Sequence, residues 1–236
     1  MAIGIFLDLD GTLVDSMPLL KQSFNETLES EGLYIDKETE EIIGDNLSQI
    51  MGGNSRGFTD FFLVWRFIKH VNGPILKKIK IALVSSRKLK KIANSAPFIK
   101  GADIAIKSMK QNKDVKIGIV TSRSKQDVLS RLNKSELKSD IDVVVTRDDV
   151  KKLKPSPEQI LVASKNLGLL PRNCAIIGDM STDVEAARKA GSIAIGVASG
   201  IFNKQLVQSN PDFIAQSIID IPDALDEIIN RIENHE

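Results

Sequence analysis

The stretch Ile3-Gly4-Ile5-Phe6-Leu7-Asp8-Leu9-Asp10-Gly11-Thr12 decides the fold of this chain. An apolar run ends abruptly on two carboxylates at positions i and i+2. In extended backbone that spacing puts both acids on one face. Burial of the apolar residues leaves the acids at the carboxyl end of a strand, where open α/β sheets bind ligands. Two acids at one strand tip repel each other, and a divalent cation or a shared proton relieves the repulsion. The stretch therefore predicts a metal site with one carboxylate left for chemistry. Asp10-Gly11 is also a strong turn signal. The two readings are compatible, since a turn can carry a site, and groups further along the chain have to decide.

Working outward, four more apolar runs read as strands: Val115–Val120, Val143–Val145, Ala175–Ile177 and Ile193–Val197. Each follows a helix-like segment, in order Ala102–Lys110, Lys125–Leu132, Pro157–Leu167 and Thr182–Ala190. Ser156-Pro157-Glu158 offers an N-cap, Pro at the first helical position and an early acid. Gly191 closes the helix that ends at Ala190. Strands alternating with helices predict an α/β, Rossmann-like core: a central parallel sheet with helices on both faces.

Residues 16–96 break this rhythm. They read as consecutive helices, Leu19–Glu31, Lys37–Ile43, Leu47–Met51, Thr59–Val71 and Ile75–Ile92, punctuated by glycines. We expect a small all-helical cap inserted after the first strand, with residues 1–15 and 97–236 forming the core. The run Phe58–Ile68 holds four of the nine Phe and the one Trp, and reads as the core of that unit or a cover over an apolar pocket. Within the block, Lys80–Arg87 resembles Lys116–Arg123 in sequence. Only one should end a core strand, and the alternating flanks favour the second, with Thr121 functional and Ser85 a decoy.

With 236 residues, 42% hydrophobic and 27% charged, the chain suits a soluble globular protein. A net charge of +1 provides no global field for nucleic acid or membrane. The start lacks a basic segment before its apolar run, so no signal peptide is expected. The one cysteine, Cys174, reads as a buried strand residue, and a cytoplasmic setting fits. His235, in the polar tail Asn230–Glu236, is expected to be disordered.

Chemistry-bearing groups follow the later strands in turn. Thr121-Ser122 offers hydroxyls and backbone N–H groups to an anionic oxygen, or simply a helix cap. Lys154, in Lys154-Pro155-Ser156-Pro157-Glu158, can fix an ammonium at a site edge, or belong with Lys151 and Lys152 to a solvated loop. Asp179 and Asp183, in Gly178-Asp179-Met180-Ser181-Thr182-Asp183, are hard oxygen ligands that suit Mg²⁺, though either alone could cap a helix.

With acids, hydroxyl, lysine and acids in that order after four strands, the sequence resembles the haloacid dehalogenase superfamily, in particular its phosphatases similar to phosphoglycolate phosphatase. The resemblance covers Ile3–Asp15 and Pro97 to about Pro222. It implies Asp8 as the nucleophile forming an aspartyl-phosphate, and Asp10 as acid and then base. It implies Mg²⁺ on Asp8, the Asp10 backbone carbonyl and Asp179, with Asp183 supporting the metal or Lys154. Thr121, Ser122 and Lys154, with the backbone of Leu9 and Gly11, would hold the phosphoryl group of a small phosphorylated metabolite.

Asp10 argues against dehalogenation, which needs no acid there. A sugar phosphomutase, a phosphonate-cleaving enzyme using Lys21, and a catalytically idle binding protein share the scaffold. Arg56, Arg66, Lys69 and His70 are the candidate cap contacts, and the chain is expected to be a monomer or homodimer.

Overall fold

The computed structural model describes residues 2–45, 60–198 and 203–234. Strand β1 (Ile3–Leu7) is buried along its whole length. It pairs in parallel with β2 (Val115–Val120) on one side and β4 (Cys174–Gly178) on the other. With β3 (Val143–Val145), β5 (Ile193–Val197) and β6 (Phe213–Ala215), the described residues form a parallel sheet in the order β3-β2-β1-β4-β5-β6. Strands buried on both faces read as near-continuous apolar runs, which is why five were visible in the sequence. The sixth, β6, has only three residues, and its pairing with β5 defines it.

Alternation along β1 divides the core. Ile3, Ile5 and Leu7 enter one apolar cluster with Ile106, Met109, Val128, Ile228 and Ile232. Phe6 enters the other, with Val120, Ile160, Ile176 and Val184. Helices α5 (Ala102–Met109), α6 (Lys125–Leu132) and α10 (Leu225–Glu233) therefore cover one face. Helices α7 (Glu158–Asn166), α8 (Ser181–Ala190) and α9 (Asn203–Gln208) cover the other.

Residues Asn230–Glu233 close helix α10, in which Ile228 and Ile232 sit one turn apart and bury against the sheet, and His235 lies outside the described residues. One expectation changes here. Helix α7 starts one residue late, with Pro157 at the N-cap position. Glu158 accepts hydrogen bonds from the N–H groups of Lys151 and Lys152, each at 2.8 Å, and so folds the basic loop back onto the helix.

Between β1 and α5 the described chain forms helices α1 (Met17–Ser30), α2 (Lys37–Asp45), α3 (Asp60–Ile68) and α4 (Ile75–Ser95). They have an apolar cluster of their own, with Leu28, Val64, Ile68 and Ile81 at its centre. The expected helix Leu47–Met51, along with Arg56, lies outside the described residues. Trp65 stacks on Phe61, with ring centroids 6.3 Å apart. The near-repeat Lys80–Arg87 is part of α4, so Ser85 is a helix residue, whereas Thr121 directly follows β2.

The two linkers of this helical block lie side by side. The Asp15 N–H donates to the Pro97 carbonyl (3.0 Å), and the Ile99 N–H donates to that of Leu13 (2.9 Å). Arg131 on α6 donates to the Ala96 carbonyl at 2.5 Å and lies over the Phe98 ring.

Candidate active site

Parallel strands that end together bring residues distant in sequence to one rim. Asp8 leaves β1 with its N–H donating to the Ile177 carbonyl of β4 (2.8 Å). Thr121 leaves β2 with its N–H on the Val145 carbonyl (3.0 Å). Asp179 follows β4 directly.

Lys154 is the centre of this rim. Its buried ammonium donates to Asp8 Oδ1 at 2.5 Å, to Asp183 Oδ1 at 2.5 Å and to the Val120 carbonyl at 3.3 Å. All three ammonium hydrogens thus have acceptors. Burial alone would lower the lysine pKa, but the carboxylates of Asp183 and Asp8 outweigh it and raise it. Lys154 is therefore held as a cation, and the solvated-loop alternative applies to Lys151 and Lys152, which are exposed. For Asp8, burial pushes the carboxyl up to about 7; Lys154 pulls it down, and Asp183 and Asp10 add to the rise.

Both carboxylate oxygens of Asp183 accept a hydrogen bond. Its Oδ1 takes Lys154 and its Oδ2 accepts the Met180 N–H at 3.1 Å, which closes the start of α8. Gly178 is required for this packing, since a Cβ there would lie 2.2 Å from Asp183 Cγ.

Asp179 differs from every other acid of the site. It is 1% exposed, and neither carboxylate oxygen has a hydrogen-bond partner among the described residues. Burial first, then the charges of Asp8 and Asp183, raise its pKa well above the carboxylate range. A buried charge without a partner costs several kcal/mol, about 3–5 when it is left by deleting its partner. A hard cation is the simplest compensation. Gly11 shapes this corner: it has φ +79°, and a Cβ there would fall 2.1 Å from Asp179 Oδ2. The Gly11 N–H, expected to face phosphate, instead donates to the Val14 carbonyl (2.9 Å) and closes the turn after β1.

Among the described residues no three His, Cys, Asp or Glu side chains form a cage. Mg²⁺ does not need one, because it keeps several waters and uses one or two carboxylates plus phosphate oxygens. Asp8 and the orphaned Asp179 fit that pattern. Asp183, held by Lys154 and the Met180 N–H, and the Asp10 side chain, held by Arg123 and Ser16, are already oriented by protein donors.

The Asp10 carboxylate is held by groups that the sequence reading had not assigned. Arg123 Nε donates to its Oδ2 at 2.6 Å and Arg123 Nη2 to its Oδ1 at 2.5 Å. Ser16 Oγ, at the foot of α1, also donates to Oδ1, at 2.6 Å. Gln159 was missed as well: it is fully buried, and its Nε2 donates to the Thr121 carbonyl at 2.7 Å. The Thr121 hydroxyl accepts the Arg123 N–H at 3.3 Å, and Ser122 is half-buried beside it. Leu9 is buried, its carbonyl accepting the N–H groups of Leu13 and Val14. Of the other candidates, Lys21 and Lys69 are exposed and Arg66 and His70 half-buried.

Comparison with known proteins fits this arrangement. The family profile described as haloacid dehalogenase-like hydrolase matches residues 5–197. The chain belongs to that family. It is 28% identical over 221 residues to the pyrophosphatase PpaX of Bacillus pumilus, covering 92% of this chain and 93% of that one. It is 27% identical over 234 residues to the phosphoglycolate phosphatase of Shigella flexneri, covering 94% and 92%. Among solved structures, a hydrolase from Pseudomonas syringae aligns with a TM-score of 0.69 at 22% identity, covering 96% and 99%. A β-phosphoglucomutase from Clostridium difficile aligns with a TM-score of 0.69 at 19% identity, covering 99% and 100%. Both structural likenesses concern the fold alone.

Proposed function

We propose that this chain is a Mg²⁺-dependent phosphatase that hydrolyses a small phosphate monoester through an aspartyl-phosphate on Asp8. The observation that carries the reading is the contrast at the strand tips. Asp8 is buried on a lysine, Asp179 is buried with no partner among the described residues, and Asp10 is oriented separately two residues away.

In the first half-reaction an Asp8 carboxylate oxygen bonds to phosphorus as the bond to the ester oxygen breaks. Asp10 gives its proton to that departing oxygen. In the second half, Asp10 takes a proton from water, whose oxygen bonds to phosphorus and displaces Asp8, so inorganic phosphate leaves and the carboxylate returns. Lys154 holds Asp8 in place and offsets its repulsion from the incoming anion. Thr121, Ser122 and the Leu9 backbone complete the cradle for phosphoryl oxygens, with Gln159 fixing the Thr121 carbonyl. Asp8, Asp179 and the Asp10 carbonyl are the groups that would hold Mg²⁺, which when bound supplies positive charge against the developing phosphoryl charge. Residues 16–96 act as a cap that selects the rest of the substrate, joined to the core through the paired linkers at 14–16 and 96–99.

The test is a panel of phosphorylated metabolites assayed for inorganic phosphate release with Mg²⁺, beside Asp8→Asn and an EDTA control. Release that depends on Asp8 and on the metal supports the reading; equal release by the variant ends it. Retention of the phosphoryl group on an isomerised sugar product, with no free phosphate, would point instead to a mutase.

A further inference from the structure

We propose that Arg123 is a positioning residue for Asp10, fixing the plane of its carboxylate so that Oδ2 carries the transferred proton. The proposal rests on the phosphatase reading above. Asp10 lies in the turn after β1, its side chain 29% exposed, and nothing in the strand itself would set its rotamer. Arg123 is the more buried partner, its side chain 10% exposed. A guanidinium fork that binds both oxygens of a carboxylate sets that carboxylate's plane as well as its position.

The fork is itself fixed. The Arg123 N–H donates to the Thr121 hydroxyl and its carbonyl accepts the Arg147 N–H at 3.1 Å. The next residue, Ser124, caps α6 through the Asp127 N–H at 3.2 Å. Arg123 thus belongs to a loop tied to β2, to the segment after β3 and to α6.

Hydrogen-bond capacity then distinguishes the two oxygens. A carboxyl oxygen has about two acceptor positions. Among the described residues, Asp10 Oδ1 receives both Ser16 Oγ and Arg123 Nη2, whereas Oδ2 receives Arg123 Nε alone. Oδ2 can therefore hold a proton while Arg123 still grips it. From there the proton passes to the ester oxygen as its bond to phosphorus breaks. Water later returns one to Oδ2 as the bond from phosphorus to Asp8 breaks.

A residue that acts only through Asp10 has no effect once Asp10 is gone, and a double-mutant cycle measures this. Arg123→Met and Arg123→Lys are made alone and with Asp10→Asn, and phosphate release is followed at steady state over a range of concentrations of a substrate from the panel. Arg123→Met is expected to lower kcat roughly 10- to 100-fold, part of the roughly 10²–10⁴ that a positioned acid contributes, with KM within about threefold. Arg123→Lys, which keeps the charge and loses the fork, is expected to fall between. In the Asp10→Asn background either change should alter kcat by less than about twofold. Full additivity in that background, or a KM raised about tenfold at constant kcat, overturns the proposal and makes Arg123 a substrate contact. Should Arg123→Met fail to fold, the Lys cycle decides on the same criteria. Equal phosphate release by wild type and Asp8→Asn would sink the phosphatase reading, and the role of Arg123 with it.

Discussion

Asp8 and Asp10 stand two residues apart, yet they occupy different regions of one rim. Asp8 faces inward, toward β4, where Lys154, Asp183 and Asp179 are all nearly excluded from water. Asp10 faces outward, toward the β2 loop and the foot of α1, and remains partly exposed. The inner region is an electrostatic cluster in which removing one charge strands another. The outer region is a hydrogen-bonded fork whose loss water can partly make good. Equal residue type at equal spacing therefore predicts very unequal consequences.

The largest expected effect is on the inner acid. Asp8→Asn should lower phosphate release by on the order of 10⁴-fold or more while the protein stays folded, since the change removes the attacking oxygen and keeps the volume. A residual activity near wild type would erase the distinction between the two acids. Lys154→Met comes next and should also damage the fold. It leaves Asp8 and Asp183 facing each other without a cation, a loss of about 3–5 kcal/mol for a broken buried pair. Urea unfolding of the metal-free protein would measure it, and a cost below about 1 kcal/mol would place Lys154 with ordinary surface pairs.

Asp179→Asn separates function from stability. The metal-free variant is expected to keep a Tm close to that of wild type at pH 7.5, because burial and the charges of Asp8 and Asp183 already favour the uncharged form of Asp179, while Mg²⁺ no longer raises its Tm and turnover is lost. A variant that melts lower than wild type without metal would mean that Asp179 has a compensating partner.

The pH dependence of stability has a defined sign. The folded-state pKa of Asp8, about 7, lies above its unfolded value of 3.8, so folding favours its protonated form. That stabilisation is complete below the unfolded value and is lost as pH rises through 7. The Tm of metal-free wild type minus that of Asp8→Asn should therefore fall between pH 5 and pH 8. A difference that grows over this range would show that Lys154 dominates burial. The smallest effect belongs to the outer region: Arg123→Met should change stability by about 1 kcal/mol or less, although it slows turnover.

The inner and outer regions also differ in how legible they are. Asp8, Asp10, Thr121, Lys154, Asp179 and Asp183 could be named because each follows an apolar run or opens a helix, and their order along the chain is itself a pattern. Arg123 and Gln159 carry no such signal. Each lies within a few residues of a motif, but its partner is 113 or 38 positions away. Strand β6 was hidden for the same reason, since three residues acquire strand character only through β5. Helix α10 is hard to see in the sequence because polar residues obscure the spacing of Ile228 and Ile232.

Hydrophobic periodicity and turn chemistry act locally, so the α/β core, the helical block after the first strand and the six motif residues are legible from residue order alone. Which acid meets which cation is set by packing in three dimensions. Lys154 reaches Asp8 across 146 residues, Asp179 has no partner among the described residues and Arg123 takes Asp10. Those pairings depend on strand order and on side-chain reach at the rim, which no local pattern encodes.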